Sequence, residues 1–261
     1  MAKFALLLEY NGSNYHGWQI QRGVATIQGE LERALSSFAA EKIATITAGR
    51  TDTGVHATHQ VVHFNSGAKR QLAGWISGVN AKLAKDIRVK AAVSVDDDFN
   101  ARYSATSRSY HYYLLTQPLN SALLAPQVGW YYQALDLGKM QQAASLLCGC
   151  HDFSAFRAAG CQANTPVREM FELKIEQRGN MLRFSLRANA FLHHMVRNII
   201  GALVFVGNGR LSLGDFAAIF KAAQRSLAPP TFMANGLYLV NVSYPQSPFV
   251  SAATDLWLFN A

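Results

Sequence analysis

The strongest constraint on the fold is the order in which two hydrophobic periodicities follow one another along residues 3–95. Residues 3–10 predict a buried strand that is apolar from Phe4 to Leu8, and residues 87–95 alternate in the way a half-buried strand does. Thr26 can cap a helix whose apolar residues recur three or four positions apart. This order, strand–helix–strand–strand–helix–strand, is the split βαβ pattern of the ferredoxin-like fold. The predicted strands are residues 3–10, 42–48, 59–65 and 87–95, and the predicted helices begin at Ile27 and Leu72.

The second half of the chain repeats the pattern of elements but not the sequence. Predicted strands cover residues 109–115, 168–177, 181–190 and 237–244, and predicted helices begin at Asp136, His193 and Ser212. We therefore expect an α+β fold of two ferredoxin-like (βαββαβ) domains side by side, residues 1–106 and 107–261. A catalytic cleft is expected between them, because clefts between domains are favoured ligand sites.

The end of the chain is apolar. It contains Leu256, Trp257, Leu258 and Phe259 after two prolines. We expect this tail to dock either on the chain itself or on a partner chain, and the sequence leaves both alternatives open.

The charge balance indicates the class of partner. Lys and Arg number 24 against 16 Asp and Glu, a formal net charge of +8. An excess of this sign favours a polyanionic partner such as nucleic acid. Half of the residues are hydrophobic and 15% are charged, which excludes wholesale disorder.

The cysteines and the N-terminus indicate the compartment. Three cysteines, Cys148, Cys150 and Cys161, form no regular disulfide framework, which favours a reducing environment. The apolar stretch from Phe4 to Leu8 is too short for the core of a signal peptide. No run approaches the roughly 18 uncharged residues that cross a bilayer. We expect a cytoplasmic protein that does not associate with membranes.

The segment Ala48–His56, between two predicted strands, combines glycines with several ionisable side chains. It holds two glycines and the ionisable side chains of Arg50, Asp52 and His56 within seven positions. Taken alone, it has the composition of a tight turn in which Asp accepts backbone N–H bonds. A catalytic carboxylate at Asp52 is the alternative, and it needs support from elsewhere in the chain.

Six ordered segments supply that support. They resemble the family of tRNA pseudouridine synthases that modify the anticodon stem-loop, over nearly the whole length of the chain. Thr53 stands where alanine is more usual in the family. The resemblance implies two ferredoxin-like domains, a homodimer, no cofactor, and isomerisation of uridine at tRNA positions 38, 39 and 40. The segments are Glu9–Gln19, Gly49–His56, Phe99–Ala105 with Arg108–Tyr110, Phe153–Arg157, Asn189–Asn198 and Gly236–Leu239.

The resemblance also implies the roles of the central residues. Asp52 is the catalytic carboxylate, acting as a nucleophile at C1′ or C6 or as a base on the sugar, and these alternatives stay open. Arg197 resembles the cation that pairs with this carboxylate. Tyr110 resembles the tyrosine that stacks on the target base. Phe191 and Leu237 are expected to line the pocket, with ordinary core packing as an equal alternative.

A further set of residues is expected to bind tRNA and flip the target base. Arg50 has a planar fork suited to filling the space that the base leaves or to holding a phosphate. The other arginines are expected to grip phosphates, which position RNA without reading its sequence. The set is Arg50, Arg70, Phe99, Arg102, Tyr103, Arg108 and Gln162.

Two functions of other classes remain as alternatives. A non-catalytic RNA-binding protein on ferredoxin-like domains would use basic and aromatic residues but would not need an Asp in a glycine-flanked loop. A hydrolase could use Asp52 and His56 as an acid–base pair. Formation of pseudouridine from labelled tRNA discriminates between all three.

Two groups of residues have a partial metal-ligand pattern, and neither has the spacing of a zinc site. We therefore expect no metal. The two groups are His56, His59 and His63, and Cys148, Cys150, His151 and Cys161.

His193 and His194 are a separate pair. They are adjacent, so we expect them to point to different sides of a helix.

Overall fold

A computed structural model describes residues 1–249, so the apolar tail at 256–259 lies outside the described residues. The elements confirm the predicted α+β class. The strands are β1 (Ala2–Tyr10), β2 (Ile46–Thr47), β3 (His56–Ser66), β4 (Ile87–Ser94), β5 (Ser107–Thr116), β6 (Gly129–Tyr131), β7 (Gly149–Asp152), β8 (Val167–Arg178), β9 (Met181–Ala188) and β10 (Leu237–Ser243). The α-helices are α1 (Ile27–Ala39), α2 (Leu72–Asn80), α3 (Leu137–Ser145), α4 (Met195–Gly207) and α5 (Leu213–Ala222), and short 3₁₀ turns lie at Gly12–Asn14, Ser154–Phe156 and Arg225–Leu227.

The chain divides into two compact units. Unit 1 contains residues 1–106 and the described residues from Tyr238 onward, and unit 2 contains Ser107–Leu237. All of β10 after Leu237 therefore falls in unit 1, where Tyr238 and Leu239 run parallel to His56 and Ala57 of β3, whereas the sequence predicts that every residue after 106 belongs to the second domain.

Unit 1 has the predicted strand–helix–strand–strand–helix–strand order. β1 pairs antiparallel with both β3 and β4, and β2 pairs antiparallel with the far side of β3. The resulting strand order, β4-β1-β3-β2, is that of the split βαβ fold. The Thr26 hydroxyl caps α1 by accepting a bond from the Gly29 N–H at 3.3 Å, as predicted.

The core of unit 1 is an aromatic cluster between α2 and the sheet. The Trp75 ring is fully buried and lies 5.3 Å from the Phe4 ring and 5.0 Å from the Phe64 ring. Phe38 of α1 contacts the same indole edge-on at 5.3 Å. Burial of an aromatic side chain of this size stabilises a fold by about 2–3 kcal/mol, so this cluster anchors both helices to the sheet.

The prediction of a strand over residues 42–48 is largely wrong. Only Ile46 and Thr47 form β2. The preceding backbone is bonded to α1 instead: the Thr45 N–H donates to the Glu32 carboxylate at 2.7 Å, and the Ile43 N–H donates to the Ser36 hydroxyl at 2.9 Å. These side chains satisfy donors that a strand would have given to its neighbour.

Unit 2 is built on the antiparallel strand order β5-β9-β8-β7, with β6 parallel to β5. The predicted hairpin of β8 and β9 is present. Asp136 caps α3, and Ser212 with Asp215 caps α5, both as predicted. β6 and β7 were not predicted, because strands of three and four residues carry little periodicity.

The longest helices, α1 and α4, have 13 residues each. Within residues 1–249, no helix combines the length and the apolar character needed to cross a membrane.

Candidate active site

The loop that carries Asp52 joins β2 to β3. Its ends are fixed by the bond from the Ala48 N–H to the Val61 carbonyl at 2.8 Å. A tight turn closes where the Val55 N–H donates to the Asp52 carbonyl at 3.1 Å, and Gly54 adopts a φ of 77°. The turn bond therefore uses the main chain of Asp52, whose side chain is half-buried.

The first of the six segments, Glu9–Gln19, supports this loop from behind. The Trp18 N–H donates to the Thr51 carbonyl at 2.9 Å. Gly17 has a φ of 80°, and a Cβ there would lie 2.7 Å from the same carbonyl oxygen. A Cβ on Gly12 would overlap the Val55 carbonyl. Main chain thus packs directly on main chain on both sides of Asp52, which only glycine permits.

Two buried side chains reinforce the same contact. The Tyr10 hydroxyl bonds the Thr51 hydroxyl at 2.8 Å. The Gln60 amide donates to the Gly49 carbonyl at 2.7 Å and to the Tyr10 oxygen at 3.3 Å. Burial raises the pKa of Tyr10 to about 12, so this hydroxyl keeps its proton at neutral pH. The network holds the residues immediately before Asp52.

His56 fixes the other end of the loop. It is 1% exposed, and its Nδ1 accepts a bond from the Gly12 N–H at 3.1 Å. Its ring stacks on Tyr238 with centroids 4.5 Å apart and planes 22° apart. A ring held in this way is suited to positioning the loop rather than to the proton transfer that the hydrolase alternative requires.

The other two histidines of β3 are buried. Burial, together with Lys90, lowers the pKa of His59 to about 4. Burial, together with Lys3, also lowers the pKa of His63, whose Nδ1 accepts a bond from the Ala101 N–H at 3.0 Å. Both imidazoles are therefore neutral near pH 7 and pack within unit 1.

In unit 2, the structure brings Tyr110 and Phe191 together. Tyr110 lies on β5, is 8% exposed, and meets the Phe191 ring edge-on at 5.0 Å. Arg197 lies in the first turn of α4, and its Nε donates to the Phe232 carbonyl at 2.9 Å. Leu237 is 5% exposed and begins β10.

The residues predicted to bind tRNA differ in exposure. Tyr103 is 77% exposed, and the Arg102 guanidinium lies 5.3 Å from its ring centre. Arg70 lies over the Phe38 ring at 5.5 Å. Arg108 is half-buried and donates to the Asn189 carbonyl at 3.1 Å.

Three more residues complete this predicted set. Arg50 and Gln162 are exposed. Phe99 is half-buried, and its ring lies 5.2 Å from that of Tyr244 and 6.0 Å from that of His63. Phe99 therefore takes part in the packing of unit 1.

The expectation for His193 and His194 is wrong. Both residues precede α4, which begins at Met195, and His194 has a φ of 61°. The left-handed backbone at His194 brings the two rings to 3.9 Å. Side chains of adjacent residues diverge in regular helical or extended backbone, and the left-handed residue here has neither conformation.

Comparisons with known proteins identify the family. The profile of a family described as tRNA pseudouridine synthase matches residues 7–104 and 143–245. The chain belongs to the tRNA pseudouridine synthase family. It is therefore an isomerase that converts uridine to pseudouridine in tRNA.

Curated relatives within this family match nearly the full chain. The tRNA pseudouridine synthase A of Chromobacterium violaceum is 53% identical over 93% of this chain and 93% of its own length. The protein of the same name from Neisseria gonorrhoeae is 52% identical over 93% of this chain and 92% of its own. Among solved structures, an archaeal box H/ACA sRNP Nop10–Cbf5 complex aligns with a TM-score of 0.38 and 11% identity, covering 87% of this chain and 59% of that one.

Two positioning residues of this family member were missed by the sequence reasoning. The Asn100 side chain accepts bonds from the N–H groups of Arg102 and Tyr103 at 3.0 and 3.1 Å. Arg157 donates to the carbonyls of Cys161 and Ala163, both at 2.8 Å, and so closes the loop that carries Gln162. The first has a sequence signal, since an Asn two residues before a turn bonds the backbone in this way. The second has none.

Proposed function

We propose that this enzyme isomerises uridine at positions 38, 39 and 40 of the tRNA anticodon stem-loop, with Asp52 as the nucleophile after the base is flipped out. The reaction breaks the bond from ribose C1′ to uracil N1, rotates the base and forms a bond from C1′ to C5. Nothing is oxidised and no group is donated, so the proposed chemistry needs only groups of the protein.

The observation that carries the proposal is the main-chain support on both sides of Asp52. A nucleophile gains most when its position is set before the substrate arrives. Thr51 is bonded to Trp18 and Tyr10, and Val55 packs against Gly12. This construction favours a residue used at a defined point over a solvated turn.

We propose that Tyr110 stacks on the flipped uracil, that Phe191 and Leu237 line the pocket, and that Arg197 binds the substrate. The edge-on contact with Phe191 fixes the plane of the Tyr110 ring, which supports a stacking role. Flipping a base out of the stem costs a few kcal/mol. Arg50 is exposed two residues before Asp52, and we propose that it offsets this cost.

We propose that Arg70, Arg102, Tyr103, Arg108 and Gln162 bind the RNA. Exposed arginines bind phosphate through an electrostatic attraction that weakens as the salt concentration rises. We propose that Phe99, whose ring packs on that of Tyr244 within unit 1, belongs to the same RNA-binding set. We also propose that the enzyme acts as a homodimer in the cytoplasm, where its three free cysteines would stay reduced. Light scattering at assay concentration tests the dimer.

The test uses tRNA tritiated at uracil C5, which releases tritium when the new carbon–carbon bond forms. Asp52→Asn should reduce the rate at least ~10³-fold while tRNA still binds. The matched control is Asp98→Asn at an exposed aspartate, which should act like the wild type. Normal turnover by Asp52→Asn would remove the nucleophile assignment. Binding of tRNA by the wild-type enzyme without turnover would favour the RNA-binding alternative.

The positions are tested on tRNA transcripts that carry uridine at only one of 38, 39 and 40. Each transcript should be converted. Conversion confined to uridines elsewhere would leave the chemistry in place and overturn the proposed target.

A further inference from the structure

A strap of backbone, residues 228–233, runs along α4 between the turn Arg225–Leu227 and β10. Two hydrogen bonds join the strap to Arg197, and the strap is the acceptor in one and the donor in the other. The Arg197 Nε donates to the Phe232 carbonyl at 2.9 Å, and the Phe232 N–H donates to the Arg197 carbonyl at 3.2 Å. The place of the guanidinium group therefore depends on the place of the strap.

The strap is held to the helix by the next residue, Asn198, which is 1% exposed. Its amide nitrogen donates to the Phe156 carbonyl at 2.7 Å. Its oxygen accepts from the Thr231 hydroxyl at 2.6 Å and from the Arg225 Nη2 at 3.2 Å. One buried amide thus ties α4 to the strap and to the segment around Phe156.

Arg225 fastens the near end of the same strap. Its Nη1 donates to the carbonyls of Ala228 and Pro229, both at 2.9 Å, and its Nη2 also donates to the Thr231 hydroxyl at 3.3 Å. A planar fork with several donors can hold consecutive backbone groups in one geometry, which a lysine cannot do.

Two further contacts leave the strap little freedom. The Pro230 carbonyl occupies the space that a Cβ on Gly201 of α4 would need. The Tyr112 hydroxyl, on the strand that carries Tyr110, donates to the Met233 carbonyl at 3.0 Å. Asn198 is buried in this network, and Arg225 and Thr231 are half-buried. Hydrogen bonds of a partly buried network fix geometry as well as adding stability, and this one ends at the carbonyl that accepts from Arg197.

We propose that Asn198, Arg225 and Thr231 are positioning residues that hold the strap so that it fixes the Arg197 guanidinium for substrate. The inference rests on the proposed substrate role of Arg197. These three residues act through the Phe232 carbonyl and do not themselves touch the uridine.

The first test replaces Thr231 with Val, which keeps the shape and removes the hydroxyl. Loss of one hydrogen bond that orients a functional group should lower kcat about 5- to 10-fold. KM should stay within about twofold, because phosphate contacts dominate tRNA affinity. Thr231→Ser should restore kcat. The matched control is Thr116→Val, which removes a hydroxyl bonded to the Asn180 carbonyl at 2.9 Å elsewhere in unit 2 and should leave kcat unchanged.

The second test combines the change with Arg197→Ala. If Thr231 acts through Arg197, Thr231→Val should cause no further loss of kcat in that background. An undiminished 5- to 10-fold loss would overturn the positioning role and leave the proposed function standing. Full activity of Arg197→Ala alone would instead overturn the substrate role on which the inference rests.

A third variant guards against a folding defect. If Thr231→Val does not fold, as judged by circular dichroism, the same cycle is run with Arg225→Lys. This change keeps the charge and loses the forked contacts with Ala228 and Pro229. The expected kcat loss and its absence in the Arg197→Ala background are the same, and an equal loss in both backgrounds rejects the proposal.

Discussion

The Asp52 loop of unit 1 and the Arg197 turn of unit 2 are held by different kinds of contact. Asp52 is supported by main chain packed on main chain, through Gly12 and Gly17. Arg197 is supported through a strap whose place depends on the side chains of Asn198 and Arg225. The first support has little tolerance for any added atom. The second can be weakened in steps, one hydrogen bond at a time.

The largest expected effect is at Gly17. Gly17→Ala adds both a strained left-handed backbone and a Cβ 2.7 Å from the Thr51 carbonyl. Together these should lower the free energy of unfolding by about 2–5 kcal/mol, and turnover should fall with it. Urea denaturation with the tritium-release assay measures both.

The control for that variant is Gly23→Ala. Gly23 has the same φ of 80° with nothing within 4 Å of the added Cβ, so it carries the backbone strain alone, about 1–2 kcal/mol. Equal losses for the two variants would mean that the main-chain contact behind Asp52 contributes nothing.

The next effect is at Gly201. A Cβ there meets the Pro230 carbonyl and should displace the strap, lowering kcat about 10- to 100-fold. Helix propensity works in the opposite direction, since Ala stabilises a helix by about 1 kcal/mol relative to Gly. Gly214→Ala in α5, with no atom closer than 3.8 Å, is the matched control. If Gly201→Ala kept full kcat and gained stability, the strap would not constrain Arg197.

A smaller effect is expected at Tyr10. Tyr10→Phe removes the hydroxyl that bonds Thr51 and Gln60, which should cost about 1–2 kcal/mol. Because the main-chain contacts remain, kcat should fall only a few-fold. A loss as large as that of Gly17→Ala would show that side chains, too, carry the support of Asp52.

The smallest expected effect is on the thermal stability at acid pH. The folded-state pKa of His59 is about 4, below the ordinary value near 6.5, so its neutral form stabilises unit 1 fully above about pH 6.5. This contribution is lost progressively as the pH falls toward 4, because the unfolded chain binds the proton more readily. His59→Gln should flatten the fall of Tm between pH 6.5 and 4. His16→Gln, at an exposed histidine, should leave the slope unchanged.

The sequence correctly predicted the elements that are determined by residues close together in the chain. The caps at Thr26, Asp136 and Ser212 are defined by residues three positions apart, and all three are present. The Asp52 loop was found because its glycines and charges are contiguous. Residues 42–45 were misassigned because the N–H groups of Ile43 and Thr45 bond side chains of α1, which alternation along a strand does not reveal.

The candidate site was less accessible from sequence where it depends on distant side chains. Arg197 was found through a resemblance. Its support was not, because Arg225 and Thr231 follow it by about 30 residues and have no pattern of their own. The left-handed backbone of His194 was also missed, since the enrichment of His at positive φ is too weak to assign that conformation to one particular residue.

The contact between Gly12 and the Val55 carbonyl also limits how this enzyme can diverge. A lost side-chain contact can be repaired by a complementary change in its partner. A contact with a carbonyl offers nothing to change, because every amino acid carries the same one. A substitution at position 12 therefore cannot be compensated by a second substitution at position 55. The strap beside Arg197, in contrast, could be held by a different set of side chains.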